Sequence, residues 1–236
     1  MNIMDVKPIV DSEVFVAPNA SLIGNVKVHS RASVWYGAVL RADSGEIIVG
    51  PGSSIRDRVV VQVSSSEKGS EGSENQKATR IGRNVNINCG AVLGACQIGD
   101  EVVVGMGAVV KDGATVGRGA VVGPGSVVEQ NSEIGAGEVW EGAPAQMARK
   151  IEAGEKEHNR LDVENYVMLA EAHANECGKT HEQIESEKLK RELMDERDLD
   201  YQSHLGIIEE NEEDVDRQVK MILKDRKQQA AAGSPA

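Results

Sequence analysis

The chain has 236 residues, a net charge of -12 and 25 glycines, but only two Trp, three Tyr and one Phe. This length predicts one main domain with a substantial appendage. So few aromatic rings argue against an aromatic-rich core or a base-stacking surface. The acidic balance argues against a polyanion binder, because phosphate contacts need clustered Lys and Arg. We therefore expect no nucleic acid partner.

Composition divides the chain near Lys150. Residues 1–150 contain 21 of the 25 glycines, with 16 acids and 14 bases, whereas residues 151–236 contain 22 acids and 12 bases. Residues 1–10 show neither the apolar run of a secretory signal nor the Arg-rich pattern of a transit peptide. No apolar stretch of about 18 residues predicts a membrane span. We expect a chain that is soluble or peripheral to a membrane.

Val or Ile recurs every six residues in the first part. From Ile98 to Trp140 in steps of six, seven of eight positions are Val or Ile, and Gly follows five of the eight. An amphipathic helix would repeat near 3.6 residues and a half-exposed strand near 2. A period of six with β-branched residues instead predicts an all-β solenoid, a parallel β-helix of hexapeptide repeats. The earlier leading residues are Val16, Leu22, Val28, Val34, Leu40, Val49, Ile55, Val61, Ile81, Ile87 and Leu93, which gives nineteen hexads in all.

The leading side chains are expected to fill a narrow interior, with glycine at the corners. The register breaks at residues 43–48, and the Ser-, Glu- and Gly-rich segment 64–80 predicts a protruding loop. The predicted domains are therefore a β-helix over residues 1–150 with a loop insertion at 64–80, a capping helix over 151–178, and an acidic helical extension over 179–236.

Apolar residues recur at helical spacing in the second part. Leu161, Tyr166, Leu169, Ala170 and Ala174 predict the stripe of the capping helix, which ends near Gly178. Thinner stripes predict a second helix at about residues 180–198 and a third around residues 215–223. Helices this polar gain little by packing on their own domain, so the extension is expected to become ordered on a partner.

Few residues offer metal or acid–base chemistry. No His occurs between residues 30 and 157, so nearly the whole solenoid lacks the commonest zinc ligand and general base. We expect His29 to be a surface residue and His173 to be a packing residue. Cys89, Cys96 and Cys177 have no metal-knuckle spacing and are expected to be reduced structural thiols.

Three charged residues flank the first register break. Arg41 and Asp43 precede it, and Asp57 follows Arg56 about one coil later. Charges beside a solenoid corner are usually solvated, but this spacing allows the three to meet, so ion pairing is expected.

Motifs beyond the hexad period lie within the β-helix at residues 34–43, 55–61, 90–93, 104–108 and 137–145. These stretches resemble the γ-class carbonic anhydrases. The cap residues Asn165–Tyr166, Leu169–Ala170, His173–Ala174 and Glu176 also resemble the mitochondrial members of that family attached to respiratory complex I. The resemblance covers about residues 10–178, and residues 179–236 are expected to lie beyond it.

The resemblance implies a trimer of left-handed parallel β-helices, with zinc held at subunit interfaces by three His from two chains. Gln62 stands where the family pattern VVVH has its first ligand, and Cys89 and Gly94 stand where H-x-x-x-x-H has the other two. No metal ligand and no catalytic residue is therefore expected in this chain. Zinc is expected only at an interface between other chains. Arg41, Asp43 and Asp57 match the charged cluster of the family's trimer interface, although Arg56 replaces a Gln.

The sequence thus predicts a non-catalytic subunit that completes a homo- or heterotrimer with γ-carbonic-anhydrase-like chains. The resemblance places it on the membrane arm of complex I, on the matrix side and peripheral to the inner membrane. Two alternatives stay open. One is an active zinc-dependent carbonic anhydrase whose sites are formed by the other chains, and the other is a hexapeptide-repeat acyltransferase.

Overall fold

The computed structural model describes residues 6–63, 78–195 and 216–224. Three helices follow the strands within these residues: α1 (Ala153–Cys177), α2 (His181–Asp195) and α3 (residues 216–224). No helix in the described part is long and apolar enough to cross a membrane. The strands are β1 (Ile9–Val10), β2 (Phe15–Val16), β3 (Ser21–Val28), β4 (Ser33–Val34), β5 (Val39–Val49), β6 (Ser54–Ile55), β7 (Val60–Gln62), β8 (Ala78–Ile81), β9 (Asn86–Ile87), β10 (Val92–Leu93), β11 (Gln97–Ile98), β12 (Val103–Val104), β13 (Val109–Val110), β14 (Thr115–Val116), β15 (Val121–Val122), β16 (Val127–Val128), β17 (Glu133–Ile134), β18 (Glu138–Glu141) and β19 (Gln146–Lys150).

Each short strand pairs in parallel with the equivalent strand of the next coil, so that Val104 lies between Ile87 and Val122. The long strands β3 and β5 pair with each other and run from one column of strands into the next. This arrangement confirms the parallel β-helix of hexapeptide repeats. The stacked strands form three columns, or faces. Face A consists of β2, β4, β6, β9, β12, β15 and β18, with β19 antiparallel at its end. Face B consists of the first halves of β3 and β5, then β7, β10, β13 and β16, and face C consists of β1, the second halves of β3 and β5, then β8, β11, β14 and β17.

The leading residues of the hexads fill the interior as predicted. Val34, Leu40, Ile55, Val61 and Ile87 are each 0% exposed. The buried residues of this core cluster are Val, Ile, Leu, Ala and one Cys, without a ring among them. Small β-branched side chains suit a narrow prism because they stack along the ladder without needing the width of a ring.

The predicted loop is too long at its C-terminal end. Residues 64–77 lie outside the described residues, but Ala78, Thr79 and Arg80 belong to β8, which pairs with β5 and β11. Thr79 is 0% exposed, and its hydroxyl donates to the carbonyl oxygen of Gly94 at 2.8 Å. The polar residues Thr79 and Arg80 hid the strand in the sequence, although only Arg80 is exposed.

Helix α1 packs on the solenoid by a stripe that shares only Tyr166 and Ala170 with the predicted one. Val163, Val167 and Ala170 are buried, whereas Leu161 and Leu169 are 47% and 44% exposed. Spacings of four and three place the first three residues on one side of a helix, and Leu161 and Leu169 lie off that side.

Side-chain hydrogen bonds fix the starts of both described long helices. At α1, the Glu155 carboxylate accepts from the Glu152 backbone N–H at 3.0 Å and from both terminal nitrogens of Arg149 at 2.6 and 2.7 Å. The Arg149 guanidinium lowers the pKa of Glu155 to about 2. At α2, Gln183 Oε1 accepts from the Thr180 backbone N–H at 2.8 Å, which is half of a capping box.

The chain divides into two compact units, residues 1–177 and 178–236, so α1 belongs with the solenoid. In the second unit Leu189 is 6% exposed and Val219 is 2% exposed, and both pack with Ile222 and Leu223. Residues from the thin apolar stripes predicted for the extension, Leu189 of α2 and Val219 of α3, are therefore buried together in the described part. Whether the extension becomes ordered on a partner stays a prediction.

The aromatic residues near the N-terminus lie outside the prism, under α1. Phe15, Trp35 and Ala170 form a buried cluster against which Tyr36 and Tyr166 pack. The Trp35 indole N–H faces the Ser33 hydroxyl at 2.9 Å and the Ser54 hydroxyl at 3.0 Å. These serines are the outward residues of two adjacent face A strands. The two hydroxyls therefore provide acceptors for the single N–H donor of the buried Trp35 ring.

Removing both serines should leave the Trp35 indole N–H without an acceptor. An unsatisfied buried donor costs about 1–3 kcal/mol, so the double variant Ser33→Ala/Ser54→Ala should lose that much free energy of unfolding. Each single variant keeps one acceptor and should lose less. Urea unfolding followed by circular dichroism measures all three variants. A double variant as stable as the single variants would contradict this role.

Candidate functional site

The corner between faces A and B holds a small polar network. The Asp57 carboxylate accepts from the Tyr36 backbone N–H at 3.2 Å through Oδ1. Through Oδ2 it lies 3.7 Å from the Cys89 sulfur, whose thiol is the donor. Asp57 thus joins two successive turns of the solenoid, and an open depression beside it is lined by Tyr36, Arg58 and Cys89, among others.

The predicted charged cluster is only partly assembled within one chain. Arg41 and Asp43 form an ion pair, as expected, but the Asp57 carboxylate accepts hydrogen bonds from Tyr36 and Cys89 instead. Asp57 and Arg41 differ in their positions along the coil. Arg41 lies at the end of a face B strand opposite Gln62, whereas Asp57 lies in the turn that precedes that level of face B.

Arg56 has a role that the sequence did not suggest. Its guanidinium carbon lies 3.6 Å from the centre of the Tyr166 ring, so it contributes a cation–π contact between the solenoid and α1. Arg56 thereby belongs to the docking of the helix rather than to the Arg41–Asp43 pair.

The three positions that match the family's ligands lie on the outside of the solenoid. Gln62 is exposed at the end of β7, Cys89 is half-buried beside Asp57, and Gly94 follows β10. A Cβ atom at Gly94 would overlap the Asp112 carboxylate oxygen Oδ1. That oxygen accepts the Ala95 backbone N–H at 2.8 Å. The Asp112 carboxylate therefore takes the space that a side chain at position 94 would need.

These residues do not fit a zinc ion of the kind that the resemblance implies. Zinc prefers imidazole nitrogen, thiolate sulfur or carboxylate oxygen, but an exposed amide, one thiol bound to a carboxylate and a residue without a side chain supply only one such ligand. Within residues 6–63, 78–195 and 216–224, no three His, Cys, Asp or Glu side chains form a metal-binding group.

His29, His173 and Cys96 occupy the kinds of position expected for them, whereas Cys177, expected to be a structural thiol, is exposed. His29 is half-exposed, with its ring 3.6 Å from Asp11, and His173 packs against Phe15, Trp35 and Tyr36. Cys96 is 0% exposed in the core, and burial raises the pKa of its thiol to about 12. Cys96 is therefore held as an unreactive thiol.

The three faces differ in what their outward side chains offer. Helix α1 covers part of face A, where Phe15, Trp35 and Ala170 are buried together. Face C presents Lys27, Arg80, Gln97, Thr115 and Glu133, together with the exposed Ile9 and the half-buried Ile48. Face B presents an unbroken ladder in the register Val39, Val60, Val92, Val109 and Val127, which is named here the valine column.

The valine column is an apolar surface that the sequence analysis did not single out. Val92 is 40% exposed, and the other four residues are half-buried. Its sequence signal is a valine directly before the leading residue in five face B hexads. That signal is visible only after every third hexad has been assigned to one face.

Comparison with known proteins gives consistent matches along the chain. Residues 162–219 match the domain described as "Gamma carbonic anhydrase 1, mitochondrial C-terminal domain", and residues 95–130 match the bacterial transferase hexapeptide repeat. "Gamma carbonic anhydrase 2, mitochondrial" of Arabidopsis thaliana is 42% identical over 210 residues, covering 89% of this chain and 74% of that protein. "Gamma carbonic anhydrase 3, mitochondrial" of the same plant is 45% identical over 205 residues, covering 87% and 78%.

The chain belongs to the γ-class carbonic anhydrase family. A crystal structure of a hexapeptide transferase family protein from Anaplasma phagocytophilum has a TM-score of 0.66 and 35% identity, covering 72% of this chain and 95% of that one. The expectation that residues 179–236 lie beyond the family resemblance was wrong, because the matching C-terminal domain reaches residue 219. The helices α2 and α3 are thus largely part of the family pattern.

A side chain at position 94 should compete with Asp112 for space. We expect Gly94→Ala to lower the free energy of unfolding by about 1–3 kcal/mol, the usual cost of forcing extra volume into a packed site. Asp112→Ala alone should also destabilise, because the Ala95 N–H loses its acceptor.

In the Asp112→Ala background, the substitution at position 94 should cost much less. The four proteins form a double-mutant cycle, measured by urea unfolding. Additive losses would show that Asp112 does not occupy the space beside Gly94.

Proposed function

We propose that this chain is a non-catalytic γ-class subunit that completes a trimer with related chains. The observation that carries the proposal is the valine column on face B. Five stacked valines at the spacing of neighbouring strands form an apolar strip about 19 Å long. Contiguous apolar surface of this kind marks an interaction site in a soluble protein. The trimeric assembly of the family agrees with this use.

The positions of the charged residues support contacts between chains. Arg41 and Asp43 lie at the end of the face B strand, and Asp57 lies five residues before the partner of Arg41, Gln62. This stretch begins with a turn at Asp57 and Arg58 and continues into β7. Arg41 and Asp57 lie at opposite edges of the valine column, so a cluster that contains both would form between neighbouring chains in a ring.

The ligand positions support the non-catalytic part of the proposal. A zinc-bound water needs three protein ligands and an open fourth position to reach a pKa near 7, and Gln62, Cys89 and Gly94 do not supply that set. A hydratase site between two other chains of the trimer stays an alternative. The similarity to a hexapeptide transferase family protein keeps acyl transfer as another, although no His between residues 30 and 157 offers a general base.

We also propose a place for the subunit in the cell. The names of the Arabidopsis relatives support a mitochondrial location. The resemblance of the cap residues to complex I-attached members supports docking on the membrane arm, on the matrix side and peripheral to the inner membrane. Complex I subunits of that arm are then the partners of the assembled trimer.

The purified chain should hydrate carbon dioxide no faster than buffer, with or without added zinc. The reason is the loss of all three imidazole ligands at the family's positions. Stopped-flow hydration with a pH indicator measures the rate, and Cys89→Ser serves as a control for any activity through the one remaining ligand. A zinc-dependent rate that disappears in Cys89→Ser would contradict the proposal.

A charge in the valine column should weaken assembly. Val92→Asp would place an unpaired carboxylate in the interface, which costs at least about 3 kcal/mol, or roughly a 100-fold loss of affinity. Thr115→Asp is the matched control, because Thr115 holds the same exposed hexad position on face C.

Sedimentation velocity of the chain, alone and co-expressed with the Arabidopsis γ carbonic anhydrase 2 relative, measures the assembly. Trimers should form with the wild-type chain and with Thr115→Asp, but dissociate with Val92→Asp. Equal assembly of both variants would show that face B is not the interface.

A further inference from the structure

The last turn of α1 places two metal-binding side chains beside one phenol. His173 and Cys177 are four residues apart on α1, so both lie on the same side of the helix. That side faces Tyr36, where the solenoid turns from face A to face B. Tyr36 Oη lies 3.0 Å from His173 Nδ1 and 3.7 Å from Cys177 Sγ.

A tetrahedral metal ion would require only small movements of these side chains. With zinc bonds of about 2.0–2.1 Å to nitrogen, 2.0–2.2 Å to oxygen and 2.3 Å to sulfur, tetrahedral ligands lie about 3.4 Å apart for N and O and about 3.6 Å apart for S and O. The distance of 3.7 Å from Tyr36 Oη to Cys177 Sγ is already close to this, and the hydrogen-bonded distance of 3.0 Å from Tyr36 Oη to His173 Nδ1 would lengthen by about 0.4 Å. Two ligands at positions i and i+4 of a helix also form half of a familiar zinc-binding pattern.

Packing fixes the imidazole before any ligand arrives. The ring centre of His173 lies 5.0 Å from that of Trp35, 5.7 Å from Tyr36 and 5.9 Å from Phe15. Trp35 is itself held by the hydroxyls of Ser33 and Ser54. Cys177 is exposed, so a metal ion can reach the site from solvent without moving the helix.

We propose that His173 Nδ1, Cys177 Sγ and Tyr36 Oη bind a zinc-type divalent cation that clips the end of α1 to the solenoid. The thiol and the phenol each release a proton to solvent on binding. The ligands are then a neutral imidazole, a thiolate and a phenolate, with water in the fourth position. This site is separate from positions 62, 89 and 94, and it goes beyond the proposed assembly function.

The test uses the full-length chain without an affinity tag, after dialysis against a chelator and with a reductant that does not bind metal. Zinc binding is followed by calorimetry, and cobalt(II) serves as a spectroscopic probe of the thiolate-to-metal charge-transfer band. We expect about one metal per chain and a rise in unfolding temperature with zinc, because metal bound only to the folded state stabilises it. A wild-type chain that binds no zinc would overturn the proposal.

Cys177→Ser is the decisive variant, since an exposed side chain can change without disturbing the fold. It should weaken zinc binding at least about tenfold and abolish the charge-transfer band. Tyr36→Phe should also weaken binding, because it keeps the ring contacts and removes only the oxygen. If either variant binds zinc as tightly as the wild-type chain, the three-ligand site is wrong.

Cys89→Ser is the matched control and should leave zinc binding and the charge-transfer band unchanged. Loss of metal in Cys89→Ser, with binding retained in Cys177→Ser, would instead place the metal at the family's position. That result would overturn the clip and count against the non-catalytic proposal. Loss of binding in Cys177→Ser alone supports the clip, whatever the outcome of the assembly and hydration measurements.

Discussion

The structure depends on one constraint: every hexad must put a small, preferably β-branched side chain into a narrow prism directly above an equivalent one. Val104 between Ile87 and Val122 is one level of this stack. Burial of the side chains and hydrogen bonding of the ladder are satisfied together, because the register that aligns the side chains also aligns the backbone groups. An aromatic ring does not fit inside such a stack. Trp140 takes a leading position only in the last parallel strand of face A, and Phe15, Trp35 and Tyr36 pack outside the prism.

Once the inside is fixed, the residue before each leading position is free to vary, and it gives each face its character. On face A, the hydroxyls of Ser33 and Ser54 accept hydrogen bonds from the Trp35 indole N–H beneath α1. On face C, Thr115 and Glu133 are polar and exposed to solvent. The valines of face B leave an apolar column open. The same β-helix backbone thus has one face covered by α1, one polar face and one apolar face, without any change in the core.

The sequence predicted the fold well because the hexad period reflects the interior, which the chain's own residues determine. The burial of Val163 and Val167 in place of Leu161 and Leu169 was not predicted, because a helix lying on a solenoid is oriented by the shape beneath it and not by side-chain size. The partners of Asp57 were missed for a related reason. A backbone N–H donor leaves no trace in side-chain identity.

The position of the ligand-equivalent residues explains how the family fold can lose its metal ligands and keep its stability. Gln62, Cys89 and Gly94 lie on the outside, whereas their neighbours Val61, Ile87 and Leu93 point inward and are 0% exposed. Substitution of an outward residue leaves the stacked interior untouched, and at position 94 the lost side chain is replaced by the Asp112 carboxylate. The ligand-equivalent positions and the valine column are therefore both outward positions of the hexads, and residues at either can change without altering the stacked interior on which the fold depends.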